Sequence, residues 1–422
     1  RAVPTGLCPQ GCAHRAVPFD RLTHLPRAAG AGRPAPSRRS YPTRGMLRMR
    51  EGTSFIILRG PQSAFGFRSG KLFSTPLFLD AHFSYNQRMH LNGLLHPTDL
   101  GILLSYRCTS GCAHCVYNCG QEWKDWMHPR DLRTALQTAK KEWPEKLQVH
   151  LTGGEVFLNF ALLLAGVRAA AELGIPIYAE TNAVWCVDDA LVEQRFTALR
   201  EAGMRALLVS CSPFHAATVP LIRTLRAVEI GLNVFGPAGV VVYTTEWLER
   251  IARLDVESTV TLEKFIQRYG EQRAGRLFWD DYGLVAGGRA GYHLGHLKKR
   301  HPPKDFRDES CRFELLYANH SHFDPYGNFI PSFCGGISLG SWRELSALRE
   351  SYSLGKTPAL ITVLLVDGPY GLYLLARDEW SYPLLPGGYA DKCHLCVDVR
   401  KHLVRAGANF PELQPVQFYA GL

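Results

Sequence analysis

The stretch whose reading decides the fold is GILLSYRCTSGCAHC, residues 101–115, a short apolar run that ends in three cysteines at Cys108, Cys112 and Cys115. The run GILLSY at 101–106 has the length and content of a buried strand. Similar runs recur downstream at 147–151, 175–179, 206–211, 238–243 and 282–286. Between them lie segments with leucine and alanine at i, i+3, i+4 spacing, at about 129–142, 156–173, 188–203, 216–229 and 259–273. Strands that alternate with helices predict a parallel sheet joined by right-handed crossovers, either barrel-like or doubly wound. In both architectures function gathers at the C-terminal ends of the strands, and the loop holding the three cysteines follows the first of them.

Outward from this core the pattern changes. From about 295 the chain reads GHLKKRHPPKDFRDESC, a polar connector with prolines, and then turn signals such as DPYGN and PGG replace the βα rhythm. This predicts a core over 89–300 and a smaller region over 305–422. The 422-residue chain carries a formal charge of +10, but residues 1–88 hold 14 of the 48 Lys and Arg and only 3 of the 38 Asp and Glu. Residues 89–422 are left with 34 basic and 35 acidic groups, a near-neutral body that argues against nucleic acid or an anionic membrane as partner. The first 45 residues lack Lys, Glu, Ile and Asn and are rich in Arg, Ala and Pro. Such a composition buries too little apolar surface to fold, so 1–88 reads as an upstream extension or mis-called start, with an organelle transit peptide as the competing reading. The absence of an apolar leader or an unbroken apolar span of about 20 residues predicts a soluble, cytoplasmic protein.

Twelve cysteines in such a chain are better read as thiolate ligands than as disulfides. Three thiolates on one loop can hold three irons of a [4Fe–4S] cluster and leave the fourth open. A structural zinc site on the same loop would need a fourth ligand, such as His114 or Cys119. The earlier stretch LCPQGCAHRAV at 7–17 repeats two of the cysteines, Cys8 and Cys12, but has Arg15 where the third would stand, and two cannot build the open cluster. LTGGEVF, ending the second strand, places Gly153, Gly154 and Glu155 where the backbone approaches a ligand closely and a carboxylate follows.

CTSGCAHC after the first strand and GGE after the second resemble the signature of the radical S-adenosylmethionine (SAM) enzymes. The resemblance implies a partial (β/α)6 barrel in which Cys108, Cys112 and Cys115 hold a [4Fe–4S] cluster. In that family the amine and carboxylate of SAM chelate the fourth iron, and reductive cleavage gives a 5′-deoxyadenosyl radical that abstracts hydrogen from substrate. It also implies SAM binding by Gly153, Gly154 and Glu155, an adenine contact at His114, where the family usually has an aromatic residue, and polar groups near SAM at Thr181 and Asn182. Ser210, Ser212 and His215 end the fourth strand toward the same mouth, whereas Cys119, Cys186, Cys211 and the tryptophans of EWKDWM read as packing residues.

The C-terminal region adds Cys311, Cys334, Cys393 and Cys396, a four-thiolate set that suits structural zinc or a fully ligated iron–sulfur cluster. Its layout resembles the Twitch domain, the short relative of the SPASM domain, and implies an auxiliary [4Fe–4S] cluster, although Gly327 lies two positions further from Cys334 than is usual there. The implied partners are a reductant such as flavodoxin or ferredoxin and a peptide or protein side chain to oxidise or cross-link. A small-molecule or RNA substrate, and a non-catalytic Fe–S or zinc protein on the same scaffold, are the competing readings.

Overall fold

The structure, a computed structural model, describes residues 94–144 and 147–422. The 1–88 extension and the Cys8 and Cys12 echo lie outside the described residues. The first five strands are β1 (Asp99–Leu103), β2 (Gln148–Thr152), β3 (Ile177–Thr181), β4 (Ala206–Ser210) and β5 (Val240–Tyr243). They pair in parallel and in sequence order, each within two residues of its expected start. Helices α1 (Pro129–Glu142), α2 (Phe160–Glu172), α3 (Asp189–Glu201) and α4 (Leu221–Phe235) make the crossovers.

Local chemistry sets these elements. α1 starts where His128 accepts a hydrogen bond from the Arg130 amide and Pro129 takes the first helical position, with Asp131 in the first turn and Lys140 and Lys141 in the last. Its Leu132, Ala135, Leu136 and Ala139 form the buried stripe. β1 is buried from Leu100 to Leu103, as a strand covered on both faces must be.

The sixth parallel strand is not the apolar run 282–286. That segment follows a π-helical turn at Leu277–Asp281 and bends at Gly283, whose φ is 73°. Its Leu284 amide bonds back to Phe278 at 3.3 Å rather than to a neighbouring strand. Leu284 and Ala286 are buried against Phe214 and Phe278 instead, so the apolar content serves a wall and not a ladder.

The sheet gains its sixth parallel strand on the other side. β6 (His320–Phe323) pairs in parallel with β1, and β7 (Phe329–Pro331) returns antiparallel to it after the DPYGN turn, giving the order β5-β4-β3-β2-β1-β6-β7. The sheet is open, an incomplete barrel of α/β type. No described helix is long and apolar enough to cross a membrane.

Candidate active site

The loop after β1 is closed on itself before any ligand is considered. The Cys108 amide donates to the Gly120 carbonyl at 2.9 Å, and the Gly120 amide to the Tyr106 carbonyl at 3.1 Å. Amides of Ser110 and Cys119 point at the sulfurs of Cys108 and Cys115, each at 3.4 Å, and Asn182 Nδ2 approaches Cys108 Sγ at 3.5 Å. Such donors favour thiolate over thiol. Hydrogen bonding from the Cys119 thiol holds Cys115 down at about 5, while burial pushes Cys108 up to about 12.

Arg289 backs the loop. Its amide donates to the Cys115 carbonyl at 3.1 Å, Nε to the Cys112 carbonyl at 2.9 Å, and Nη1 to Asn118 Oδ1 at 3.0 Å. Gly288 beside it has no room for a side chain, since a Cβ would stand 2.3 Å from the Cys115 carbonyl oxygen. The GG turn is equally tight. Gly153 has φ of 130°, and a Cβ on Gly154 would lie 1.8 Å from the Arg107 carbonyl oxygen, so the turn presses against the base of the cysteine loop.

These parts open on one cavity of about 230 Å³ at the C-terminal ends of β1 to β5. Cys108, Cys112, Cys115, His114, Gly153, Gly154, Thr181 and Asn182 all line it, as do Ser210 and His215. His114 stacks on Phe214 with ring centroids 4.5 Å apart and meets His215 edge-on at 5.0 Å. Burial, then His215 and Arg289, hold the His114 imidazole neutral, and its buried Nδ1 has no hydrogen-bond partner within the described protein. Ser212 turns away from the cavity to accept the His215 amide and to meet His215 Nδ1 at 2.8 Å.

Glu155 stands apart from the other residues expected at the site. It is not part of the cavity wall; its carboxylate is buried beneath the turn. It accepts the Phe157 amide at 3.1 Å, the Asn182 amide at 2.8 Å and Thr181 Oγ1 at 3.0 Å from both oxygens. The carboxylate that does line the cavity is Glu180, which accepts Thr152 Oγ1 at 2.6 Å.

The C-terminal cysteines gather from three places. Cys311 precedes the short helix Arg312–Leu316, Cys334 follows β7, and Cys393 and Cys396 share one face at the start of helix Lys392–Arg405, capped by Asp391. Burial raises the Cys311 thiol, and the charges of Cys396 and Cys334 add to it; for Cys393, burial, Asp391, Cys334 and Cys311 act in the same sense. Cys311 and Cys396 are buried, and Cys334 and Cys393 partly so. Lys392 and Arg400 flank these cysteines, Lys392 donating to Glu314 Oε1 at 2.8 Å and Arg400 to the Gly335 carbonyl at 2.9 Å.

Sequence reasoning missed Arg289, Glu180 and a set of histidines, buried His150 and His322 with half-buried His320. The alternation HSH at 320–322 was the available signal, because residues two apart share a strand face. Cys186 and Cys211 are buried as packing residues, and Trp123 is buried with its ring stacked on Tyr106 at 4.6 Å.

Among solved structures the chain is similar to BtrN in complex with AdoMet and 2-DOIA, with a TM-score of 0.38 and 14% identity over 65% of this chain and 89% of that one. It is similar to Streptococcus suis SuiB bound to precursor peptide SuiA at TM-score 0.31 and 15% identity, over 69% and 73%. Native anSMEcpe with bound AdoMet gives 0.36 and 12%, over 73% and 97%. No curated protein matches the sequence. The Radical SAM superfamily model matches residues 102–218, from β1 through the cysteine loop, the Gly153–Gly154 turn and the end of β3 to the turn carrying His215, so this part of the chain is a radical SAM domain.

Proposed function

We propose that Cys108, Cys112 and Cys115 hold a SAM-binding [4Fe–4S] cluster in the cavity, that Cys311, Cys334, Cys393 and Cys396 hold an auxiliary [4Fe–4S] cluster, and that the enzyme oxidises or cross-links a peptide or protein side chain. The radical SAM domain itself implies a [4Fe–4S] cluster, SAM and an external reductant; flavodoxin or ferredoxin is the reductant we assign, in the cytoplasm. We take 89–300 as the catalytic core and 305–422 as the auxiliary region.

The observation that carries this reading is the convergence, in one cavity, of three sulfurs from one loop, the Gly153–Gly154 turn and the Thr181–Asn182 strand end. The donor set fits the group: three soft thiolates leave an iron open, and Cys119, the fourth cysteine on the cavity wall, is engaged with Cys115. When bound, the cluster and SAM together supply one-electron cleavage of SAM and hydrogen abstraction from substrate. The chain's own residues do the rest. Gly153 and Gly154 expose backbone to SAM's amino-acid end, Asn182 donates toward the Cys108 sulfur, and His114 Nδ1 offers a buried polar atom to adenine. Glu155 holds Thr181 and Asn182 in place from beneath and acts on SAM through them. Phe214 and Tyr282 close the apolar side and exclude water.

For the auxiliary group, four thiolates suit structural zinc or a fully ligated cluster, and the cluster is the reading we adopt. An auxiliary cluster suits a net two-electron oxidation, since it can accept the electron left on a substrate radical.

The test is anaerobic: reconstitute the full chain with iron and sulfide, reduce it with dithionite, add SAM and measure 5′-deoxyadenosine. About eight irons per chain and product lost in the Cys108/Cys112/Cys115→Ala variant are expected. A colourless zinc protein, or equal product from that variant, would overturn the proposal. Oxidised or cross-linked peptide from a side-chain library would support the substrate class; turnover confined to a small molecule or to RNA would replace it.

A further inference from the structure

Below the cavity three strands place imidazoles on one face of the sheet. Gly101 on β1 pairs in register with His150 on β2 and with His322 on β6, and His320 lies two residues before His322 on the same face. Gly101 is what lets them meet. A Cβ there would lie 2.7 Å from Nε2 of His150 and 2.7 Å from Nε2 of His322, so both nitrogens converge over a position that carries no side chain.

The ring nitrogens of His150, His320 and His322 lie within 4.8 Å of one another, and His150 and His322 are buried. Nδ1 of His150 and of His322 is held from behind. His150 Nδ1 meets Asp99 Oδ1 at 3.0 Å, and His322 Nδ1 meets the Ser332 carbonyl at 3.2 Å and the Tyr117 hydroxyl at 2.8 Å, an oxygen that also lies 3.2 Å from His322 Nε2 and would give way to an ion there. A carboxylate or carbonyl behind Nδ1 fixes the tautomer that offers Nε2, which is how ligating histidines are held in metal sites. A carboxylate stands next to the set: Glu180 Oε1 is 3.7 Å from His150 Nε2 but outside the group of three, and turning this side chain toward the imidazoles would add it as a fourth ligand. That separation suits two ligands about 2.1 Å from a shared ion.

We propose that His150, His320, His322 and Glu180 bind one divalent first-row transition ion of the zinc or iron(II) type, with Asp99 orienting His150. Three imidazoles and a carboxylate are a borderline nitrogen–oxygen donor set, unlike the thiolate groups at either end of the molecule. The two carboxylates give the buried group a negative excess that a dication balances. The site adjoins the reaction cavity, since Glu180, Thr152 and Tyr117 line that cavity while bonding to each other or to these histidines. The ion would fix the cavity floor and present Glu180 in one orientation. The inference stands independently of the substrate proposed above.

The experiment uses the full chain, reconstituted anaerobically so that its cysteine sites are filled with iron, cleared of iron(II) held outside the clusters with a chelator, then incubated with zinc chloride and desalted. Metal analysis should find about one zinc per chain, and zinc-edge X-ray absorption should show nitrogen and oxygen at about 2.0–2.1 Å without sulfur at about 2.3 Å. Asp99→Asn, which keeps the shape of the side chain, should weaken zinc binding by about 10–100-fold with iron content and circular dichroism unchanged. His320→Gln should lower zinc content in the same way. No retained zinc in the parent, zinc bound only through sulfur, or equal zinc in both variants would overturn the proposal. The readout is zinc and its ligands, so a failure here is separable from a failure to form 5′-deoxyadenosine.

Discussion

Both oxygens of the Glu155 carboxylate accept Thr181 Oγ1 at 3.0 Å, and one of them also accepts the Asn182 amide at 2.8 Å, so the end of β3 hangs from the residue that follows the GG turn. Thr181 Oγ1 in turn accepts the Ala183 amide and Trp185 Nε1, each at 3.0 Å. A buried carboxylate therefore ties two segments of the cavity wall, the GG turn and the end of β3, without facing the cavity.

Burial raises the Glu155 carboxyl from 4.5 to about 7, against the pull of its hydrogen bonds from Asn182, Phe157 and Thr181. Between those values the folded chain holds a proton there that the unfolded chain has released. The sign follows from linkage: stability from this group is full below about pH 4.5 and is lost as pH rises toward 7. Thermal unfolding of the reconstituted protein should show this fall, on the order of a few kcal/mol at most. Glu155→Gln, which cannot titrate, should flatten that part of the profile. An identical pH profile in parent and variant would refute the assignment.

Gly154→Ala should be among the most damaging single-methyl changes in the chain, because its Cβ would fall 1.8 Å from the Arg107 carbonyl oxygen and 2.9 Å from the Cys108 nitrogen, both backbone. Relief requires moving the cysteine loop, at a cost of several kcal/mol and with loss of iron from the first cluster. Gly111→Ala in that same loop meets nothing within 4 Å and should stay within about 0.5 kcal/mol of the parent. Melting temperature and iron content of the two variants make the comparison.

Much of this site could be read in the chain before its coordinates. The cysteine spacing and the GG pair are local, and locality is what sequence shows: the apolar stripe of α1 and its proline start give the helix at the expected residues 129–142. What stayed hidden depends on tertiary context. The run 282–286 is apolar because it walls the cavity, and hydrophobicity does not distinguish a wall from a strand. β6 was invisible for the opposite reason. Its inner face carries His320 and His322 where a strand pattern expects Val or Ile, and its partner β1 lies more than 200 residues earlier. Arg289 sits among residues without a motif, and only the fold brings it to the cysteine loop; Glu180 directly precedes Thr181 and Asn182, but nothing local marks it as the carboxylate that faces the cavity.

Arg289 supports the cysteine loop from behind, and its three hydrogen bonds to residues 112, 115 and 118 predict a selective defect. Arg289→Met keeps length but leaves the Cys112 carbonyl and Asn118 Oδ1 without their donor, a loss of about 1.5–3 kcal/mol per charged hydrogen bond. The four-cysteine group at the C-terminus does not touch Arg289 in any of these bonds. Iron should fall from about eight to about four per chain, with 5′-deoxyadenosine formation abolished. Equal loss from both groups would show instead that the substitution unfolds the chain.

His114 closes the cavity with a stacked ring and an unsatisfied nitrogen, and substitution can separate those two properties. Its ring lies 4.5 Å from that of Phe214 at an interplanar angle of 23°, and its buried Nδ1 has no hydrogen-bond partner within the described protein. His114→Phe preserves the stack and removes the nitrogen, whereas His114→Ala removes both. If Nδ1 is reserved for adenine, the phenylalanine variant should bind SAM about tenfold more weakly, the equivalent of one hydrogen bond of roughly 1.4 kcal/mol, at unchanged iron content. The alanine variant should lose more, through the aromatic packing that goes with the ring. Equilibrium binding of SAM to the reconstituted proteins measures both, and a phenylalanine variant that binds as the parent does would assign His114 to packing alone.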